Sequence, residues 1–258
     1  MVVETTAPGT ILQHMYVRER LRDRPPGTFI EIGTGKGLLT KLLLDLGWRG
    51  IGLELNPDAV AAATALNAAA CREQRLEICN ADWLSYEPQG QVDLVISSMV
   101  LEHLDDRSEL LYLAKCASVL HDGGVGILIV PASPPHWGVE DEMVGHHRRY
   151  TFDVLRRTLD AAGFKVAHLV GLNFPLSNFL LPLSNQLVGR YSRTITRLPG
   201  KQERTQASGM MLINWKTKFP NAARLLVNAA TLYPFHLLQK LNRNNPRSLV
   251  LYAEFTRR

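Results

Sequence analysis

The chain has 258 residues, 46% hydrophobic and 21% charged, enough apolar content for a substantial core and unlike a disordered or fibrous protein. It contains no uninterrupted apolar run of spanning length, and its opening Met1-Val2-Val3-Glu4-Thr5-Thr6 lacks a basic stretch leading into an apolar one, so a cytoplasmic protein is expected. The formal charge is +5, and the three cysteines, Cys71, Cys79 and Cys116, are scattered without metal-ligand spacing and read as reduced thiols.

In chain order, apolar spacing predicts a helix over 9–22, stopped at Arg24-Pro25-Pro26-Gly27. Thr28-Phe29-Ile30 reads as a strand that enters Glu31-Ile32-Gly33-Thr34-Gly35-Lys36-Gly37, and a helix over 38–46 follows. A second strand, 50–56, carries Glu54 near its end and stops at Asn56-Pro57; an alanine-rich helix over 57–70 comes next. A third strand runs from Leu76 into Asp82-Trp83, and a fourth covers 91–98. A helix over 106–120 is expected to end at Asp122-Gly123-Gly124. A fifth strand, 125–131, leads into a long loop, 131–150; then come a helix over 151–162, a sixth strand over 164–170 and a last alternating strand over 248–255.

A strand, a glycine-rich turn and a helix N-terminus build a nucleotide-binding crevice. A dinucleotide fingerprint would need glycine or alanine at Leu38, or at Thr40 if counted from Gly35, and a phosphate loop would need Ser or Thr after Gly35-Lys36. The remaining pattern, an acidic residue, one residue, then G-x-G-x-G, resembles the first motif of class I S-adenosylmethionine-dependent methyltransferases. Later strands extend the resemblance: Glu54 at a strand end, Asp82 at the next, and Ser97-Ser98-Met99-Val100-Leu101-Glu102-His103, similar to the family's fourth motif and the Leu-Glu-His that often follows it.

The resemblance implies an α/β fold, a doubly wound Rossmann-like sheet of seven strands in the order 3-2-1-4-5-7-6 with the last antiparallel. In domain terms it implies a single methyltransferase domain over 1–258, with its core at 28–171 and 248–258, and a mainly helical insertion, 172–247, before the last strand. It implies S-adenosylmethionine as cosubstrate, with S-adenosylhomocysteine as product. The cosubstrate would be held by Glu31, Gly33, Thr34, Gly35, Gly37, Glu54, Leu55, Asn80, Ala81, Asp82, Trp83, Ser97 and Ser98. Glu54 would accept the ribose hydroxyls and Asp82 the adenine amino group. Taken singly, each residue also has a structural reading: Gly33 as a tight turn, Glu54 as a solvated strand end, Asp82 as a helix cap.

The insertion concentrates charge. Between 172 and 247 there are 11 lysines and arginines and one acid, Glu203, a net +10, while the rest of the chain carries 18 basic and 23 acidic residues. It is also apolar, with a helix expected over 222–241, kinked near Pro234. Three occupants fit this composition: an anionic membrane surface or lipid-linked glycan, to which the protein would be peripheral; an acidic partner; or a second copy of the chain forming a homodimer. Nucleic acid fits the charge but has no accompanying motif.

Methyl transfer to oxygen usually needs a base, and the 131–150 loop is crowded with titratable groups at the ligand edge of the sheet. His146 is the first candidate, His136 and His147 follow, and His103 is a fourth; a purely structural His146, with Arg148 and Arg149 binding carboxylates such as Asp141, is the competing reading. Some ubiquinone-type O-methyltransferases carry a further glutamate three residues before their Glu-His pair; here that position is Met99, so no metal is expected. The Asn-Pro-Pro-Tyr signature of many amino-group methyltransferases is also absent, which favours an oxygen or carbon acceptor on a small molecule, glycan or lipid-linked compound. The alternatives are an RNA-modifying methyltransferase and a noncatalytic scaffold.

Overall fold

A computed structural model describes residues 2–4, 6–195, 218–220 and 227–258. Seven strands form the central sheet: β1 Thr28–Ile32, β2 Arg49–Glu54, β3 Leu76–Asn80, β4 Val92–Ser98, β5 Leu120–Pro131, β6 Phe164–Leu172 and β7 Val250–Arg257. Their order is 3-2-1-4-5-7-6, with β7 antiparallel to both neighbours, as the sequence implied. Helices α1 (Pro8–Leu21), α2 (Leu38–Asp45), α3 (Pro57–Leu66), α4 (Ala68–Arg72), α5 (Asp106–Val119), α6 (Val139–Val144) and α7 (Phe152–Ala161) connect or cover the strands.

The sheet is buried on both faces, so its central strands read as near-continuous apolar runs whose alternate residues serve different layers. Ile30, Ile32, Val95, Leu128 and Val130 pack with Leu113 of α5 and Leu155 of α7. Their neighbours Phe29, Leu94, Ile96, Ile127 and Ile129 pack with Val17 of α1 and Leu43 of α2. Arg20 clamps Glu254 through two bonds of 2.6 and 2.8 Å, fixing α1 to β7.

Two expected boundaries move for identifiable reasons. The 57–70 helix is two helices, because Asn67 turns its side-chain amide onto Gly37 O and Ala63 O and interrupts the run. Asp122-Gly123-Gly124 does not end α5; the helix stops at Val119 and the glycines lie inside β5, where the register shifts between Val92 and Leu94 and Gly123 has φ +87°. The 131–150 segment is a structured lid, with a 3-10 turn at Pro134–His136, α6, and a bridge between Ala132 and Tyr150.

The described part of the insertion contains α8 (Leu176–Ile195, with Pro182 inside) and α9 (Ala229–Leu241, with Pro234 inside). The first part of the helix expected over 222–241 lies outside the described residues. The end nearest β7 is docked: Gln239 of α9 donates to Leu12 O and accepts from Asn173 N–H, and His236 meets Glu19 at 2.8 Å. Lid helix α6 lies against α8. A short antiparallel pair, Val2–Glu4 with Lys218–Pro220, joins the first residues to the insertion, a pairing without a sequence signal. Among the described residues no helix is long and apolar enough to cross a membrane.

Candidate functional site

Parallel strands β1 to β4 all end at one edge, so the groups after each strand converge there. After β1, Gly33, Gly35 and Gly37 adopt φ of +77°, +52° and +79°. A Cβ at Gly33 would lie 2.5 Å from Val100 Cγ2, and one at Gly37 would lie 2.6 Å from Asn67 Nδ2, so fold packing requires both glycines. A Cβ at Gly35 would meet nothing within 4 Å; there the backbone borders open space, as a ligand cradle does. Beside it, the buried Thr34 hydroxyl has no hydrogen-bond partner.

Glu54, at the end of β2, receives Gly35 N–H at 2.8 Å on one carboxylate oxygen and Asn56 N–H at 2.9 Å on the other. Those bonds orient the carboxylate and leave acceptor capacity on both oxygens. Asn80 and Ala81 brace the same corner, donating to Glu54 O and, from Asn80, also to Leu55 O. Leu55 is 47% exposed, an apolar surface at the rim, and Asp82 is exposed, with one oxygen capped by Leu84 N–H. These residues suit an adenosine: acids for hydroxyl and amino donors, an apolar wall for the base and glycine backbone beneath.

Three expected ligand residues sit differently. Trp83 turns its indole into the core, donating to Tyr112 O, which leaves its main chain at the rim. Ser97 is buried and its hydroxyl accepts from Tyr112 O–H at 2.8 Å, whereas Ser98 is half-buried. Glu31 is fully covered by α2 and accepts from the Thr40 hydroxyl at 2.5 Å; burial pushes its carboxyl up to about 8.

Directly after β4, Met99 takes φ +57°, and Ser133 takes +62° after neighbouring β5, strained conformations for residues other than glycine. Met99 redirects the chain into the 3-10 turn Leu101–His103. Glu102 is 0% exposed, and neither carboxylate oxygen has a hydrogen-bond partner; burial pushes its carboxyl up to about 8. The lid closes over this turn: His147 N–H bonds Glu102 O, and the His146 ring stands edge-on to His103 with centroids 4.7 Å apart. His146 Nε2 lies 3.7 Å from Glu102 Oε1. Burial, with His146 and His147 nearby, lowers His103 to about 3.

Asp141 organises the lid. It is fully buried and accepts from His146 Nδ1 and Arg149 Nε, each at 2.8 Å, and from Gly138 N–H. Burial alone would raise its carboxyl, but the bonds from His146 and Arg149 hold it below the ordinary value. Because a carboxylate only accepts, the bond to Asp141 assigns a proton to His146 Nδ1, and Nε2 is the ring nitrogen turned toward Glu102.

The structure therefore brings His103 and His146 together. It places His147 at the surface and sets His136 against the Ser133 hydroxyl at 2.8 Å. Arg149 binds Asp141 as one sequence reading held, while Arg148 instead reaches Asp106, Glu109 and Leu104 O on the neighbouring turn and helix. Glu102 was not among the sequence candidates, and Asp141 entered only as a carboxylate for the arginines, not as the partner that orients His146. A helical turn through Glu140-Asp141-Glu142 points only its middle acid inward, and this facing was the available signal.

A family model described as a methyltransferase domain matches residues 11–169. The chain is 29% identical over 179 residues, 66% of either chain, to a probable S-adenosylmethionine-dependent methyltransferase of Mycolicibacterium smegmatis. It is 33% identical over 102 residues, 38% of either chain, to a ubiquinone biosynthesis O-methyltransferase of Caulobacter vibrioides. The matches thus span less than two thirds of these relatives' own length. In fold, the chain is similar to the glycopeptide N-methyltransferase MtfA, with TM-score 0.54 and 14% identity over 98% of this chain and 91% of that one. It is likewise similar to a magnesium protoporphyrin IX methyltransferase of Synechocystis PCC 6803, with TM-score 0.54 and 18% identity over 64% and 77%. With the family model covering more than half the chain and the strand order and glycine cradle in agreement, this protein belongs to the class I S-adenosylmethionine-dependent methyltransferases.

Proposed function

We propose that the chain methylates an oxygen of a small-molecule, glycan or lipid-linked acceptor seated beneath the lid. The observation that carries this reading is the Asp141-oriented His146, whose Nε2 faces the turn that directly follows the cosubstrate edge. Bound S-adenosylmethionine supplies an already activated sulfonium methyl, so the protein has to align the acceptor, exclude water and remove a proton. Glu54, Asp82, Thr34 and the Gly35 backbone would hold the nucleoside and amino-acid portions. His146, with its Nδ1–H fixed by Asp141, offers Nε2 as the proton acceptor, which is why an acidic hydroxyl fits better than an amine that is nucleophilic when neutral.

Support for a greasy or membrane-associated acceptor comes from the insertion, where Phe179 of α8 is 78% exposed and Leu241 of α9 is 80% exposed in a segment of net +10. Sedimentation with anionic vesicles at low salt tests that element; protein left in the supernatant removes it.

Radiolabelled methyl transfer into phenol, glycan, lipid and RNA pools tests the main reading. Incorporation into one of the first three is expected, and His146→Ala is expected to lower it about 10²–10⁴-fold with S-adenosylmethionine affinity retained. Wild-type turnover by that variant across pH, or incorporation into RNA alone, would overturn the proposal. Calorimetry on Glu54→Ala is expected to show cosubstrate binding lost.

A further inference from the structure

Glu102 presents an electrostatic problem that the methyl-transfer reading does not solve. It is 0% exposed and both carboxylate oxygens lack a hydrogen-bond partner, whereas buried carboxylates are ordinarily paired or ligate a cation. Two histidines stand beside it. Among the described residues, Glu102, His103 and His146 each offer one donor atom, and the three atoms lie within 4.8 Å of one another.

We propose that Glu102, His103 and His146 bind a divalent zinc-type cation, placed to activate the acceptor hydroxyl. The inference rests on the functional reading above for its purpose, but its donor set stands on geometry alone. Bonds of about 2.0–2.2 Å in tetrahedral arrangement set ligand atoms roughly 3.3–3.6 Å apart. Glu102 Oε1 and His146 Nε2 are 3.7 Å apart, so that edge is nearly formed, and the edges to His103 are no longer than 4.8 Å.

The outer shell has the form that ligating histidines need. His146 Nδ1 is held at 2.8 Å by Asp141, itself fixed by Arg149 and Gly138 N–H, an arrangement that orients the ring and aims Nε2. His103 is held against the His146 ring. The 3-10 turn and lid are tied by His147 N–H to Glu102 O, so all three donors share one braced unit.

Two imidazoles and one carboxylate select zinc, or cobalt as its spectroscopic substitute, over magnesium or calcium, which prefer all-oxygen sites. Three protein ligands leave an open position, the form of catalytic rather than structural sites. An acceptor hydroxyl there would lose its proton to water at lower pH, the O–H bond breaking and the oxygen keeping the electron pair; His146 would then act as ligand rather than base. On sequence alone the thioether of Met99 ahead of Glu102-His103 argued against a metal; the lid brings His146 to that pair.

The test is direct metal binding by the full chain after chelator treatment. Zinc is titrated against a chromogenic competitor, and cobalt is followed by its visible absorption. One zinc per chain and four-coordinate cobalt bands are expected. Glu102→Gln, His103→Ala and His146→Ala should abolish both, and Asp141→Asn should weaken zinc about 10–100-fold. Glu54→Ala should bind zinc normally while failing to bind S-adenosylmethionine. Absence of stoichiometric binding by wild type overturns the proposal, as does binding unchanged by His103→Ala and His146→Ala in folded protein. Wild type that binds and turns over S-adenosylmethionine without taking up zinc would sink the metal and leave the methyltransferase with His146 as its base.

Discussion

The two edges of the sheet treat their acidic groups in opposite ways. At the amino edge, where β1, β4 and β5 begin, Asp93 accepts from Thr28 N–H at 2.7 Å, from the Thr28 hydroxyl at 2.9 Å, and meets His121 at 2.5 Å. At the carboxyl edge, Glu102 is buried with both oxygens unpartnered, the Thr34 hydroxyl is unpartnered, and Met99 and Ser133 hold positive φ. The acid at the amino edge has completed its interactions within the chain; the carboxyl edge keeps an acid and a hydroxyl that the chain leaves unpartnered. That asymmetry locates function more sharply than the shape of the surface does.

The largest expected effect comes from removing the acid that makes the carboxyl edge rigid. Asp141→Ala would strand Arg149 and His146, which are 10% and 11% exposed, and loss of one partner from a buried charged pair costs about 3–5 kcal/mol. Denaturant unfolding should show a drop of that size together with lost turnover. A variant as stable as the wild type would mean that the lid does not depend on Asp141, and the contrast between a braced active edge and a self-satisfied structural edge would fail.

A smaller effect separates glycines within the edge. Gly35→Ala meets no protein atom within 4 Å, so its stability cost should be only that of the left-handed conformation, about 1–2 kcal/mol. Its added methyl nevertheless enters the space assigned to the cosubstrate, and calorimetry should record a much larger loss of S-adenosylmethionine affinity. Gly37→Ala pays the same backbone penalty and also presses on Asn67 and Ala63, at 2.6 and 3.0 Å, so thermal unfolding should register it more strongly than Gly35→Ala. Equal affinity losses accompanied by equal stability losses would remove Gly35 as the cradle.

The cosubstrate edge was legible because turn chemistry is local: glycines follow β1, Glu54 ends β2, and Asn80 to Asp82 follow β3, each readable within a few residues. The strand order was legible by resemblance, and β7 fell between β5 and β6 as that resemblance implied. The acceptor side was not legible in the same way. Glu102 and His146 meet only because the lid folds back, and Asp141 is distinguishable from Glu140 and Glu142 only once α6 has a buried face. Trp83, likewise, follows Asp82 directly yet faces Tyr112, since the chain turns inward immediately after the rim. The Asp122-Gly123-Gly124 boundary shifted because a glycine pair can interrupt a strand as readily as it ends a helix.

The smallest effect belongs to the amino edge and gives the comparison its control. Hydrogen bonds from Thr28 N–H and from His121 hold the Asp93 carboxyl down to about 2, so its contribution to stability is complete above its ordinary value of 3.8 and is lost as pH falls through about 2. His121 moves the other way: its bond to Asp93 raises it above 6.5, so its contribution is complete below 6.5 and is lost as pH rises through the higher folded value. Between those limits the pair is fully charged, yet the side chains are 41% and 38% exposed, and solvent holds the effect to about 1 kcal/mol or less. His121→Ala should therefore flatten the slope of unfolding free energy just above pH 6.5 by that small amount, while leaving cosubstrate affinity and zinc uptake unchanged. If this substitution at the amino edge weakened either ligand, the two edges would be coupled, and the division of labour between them would have to be abandoned.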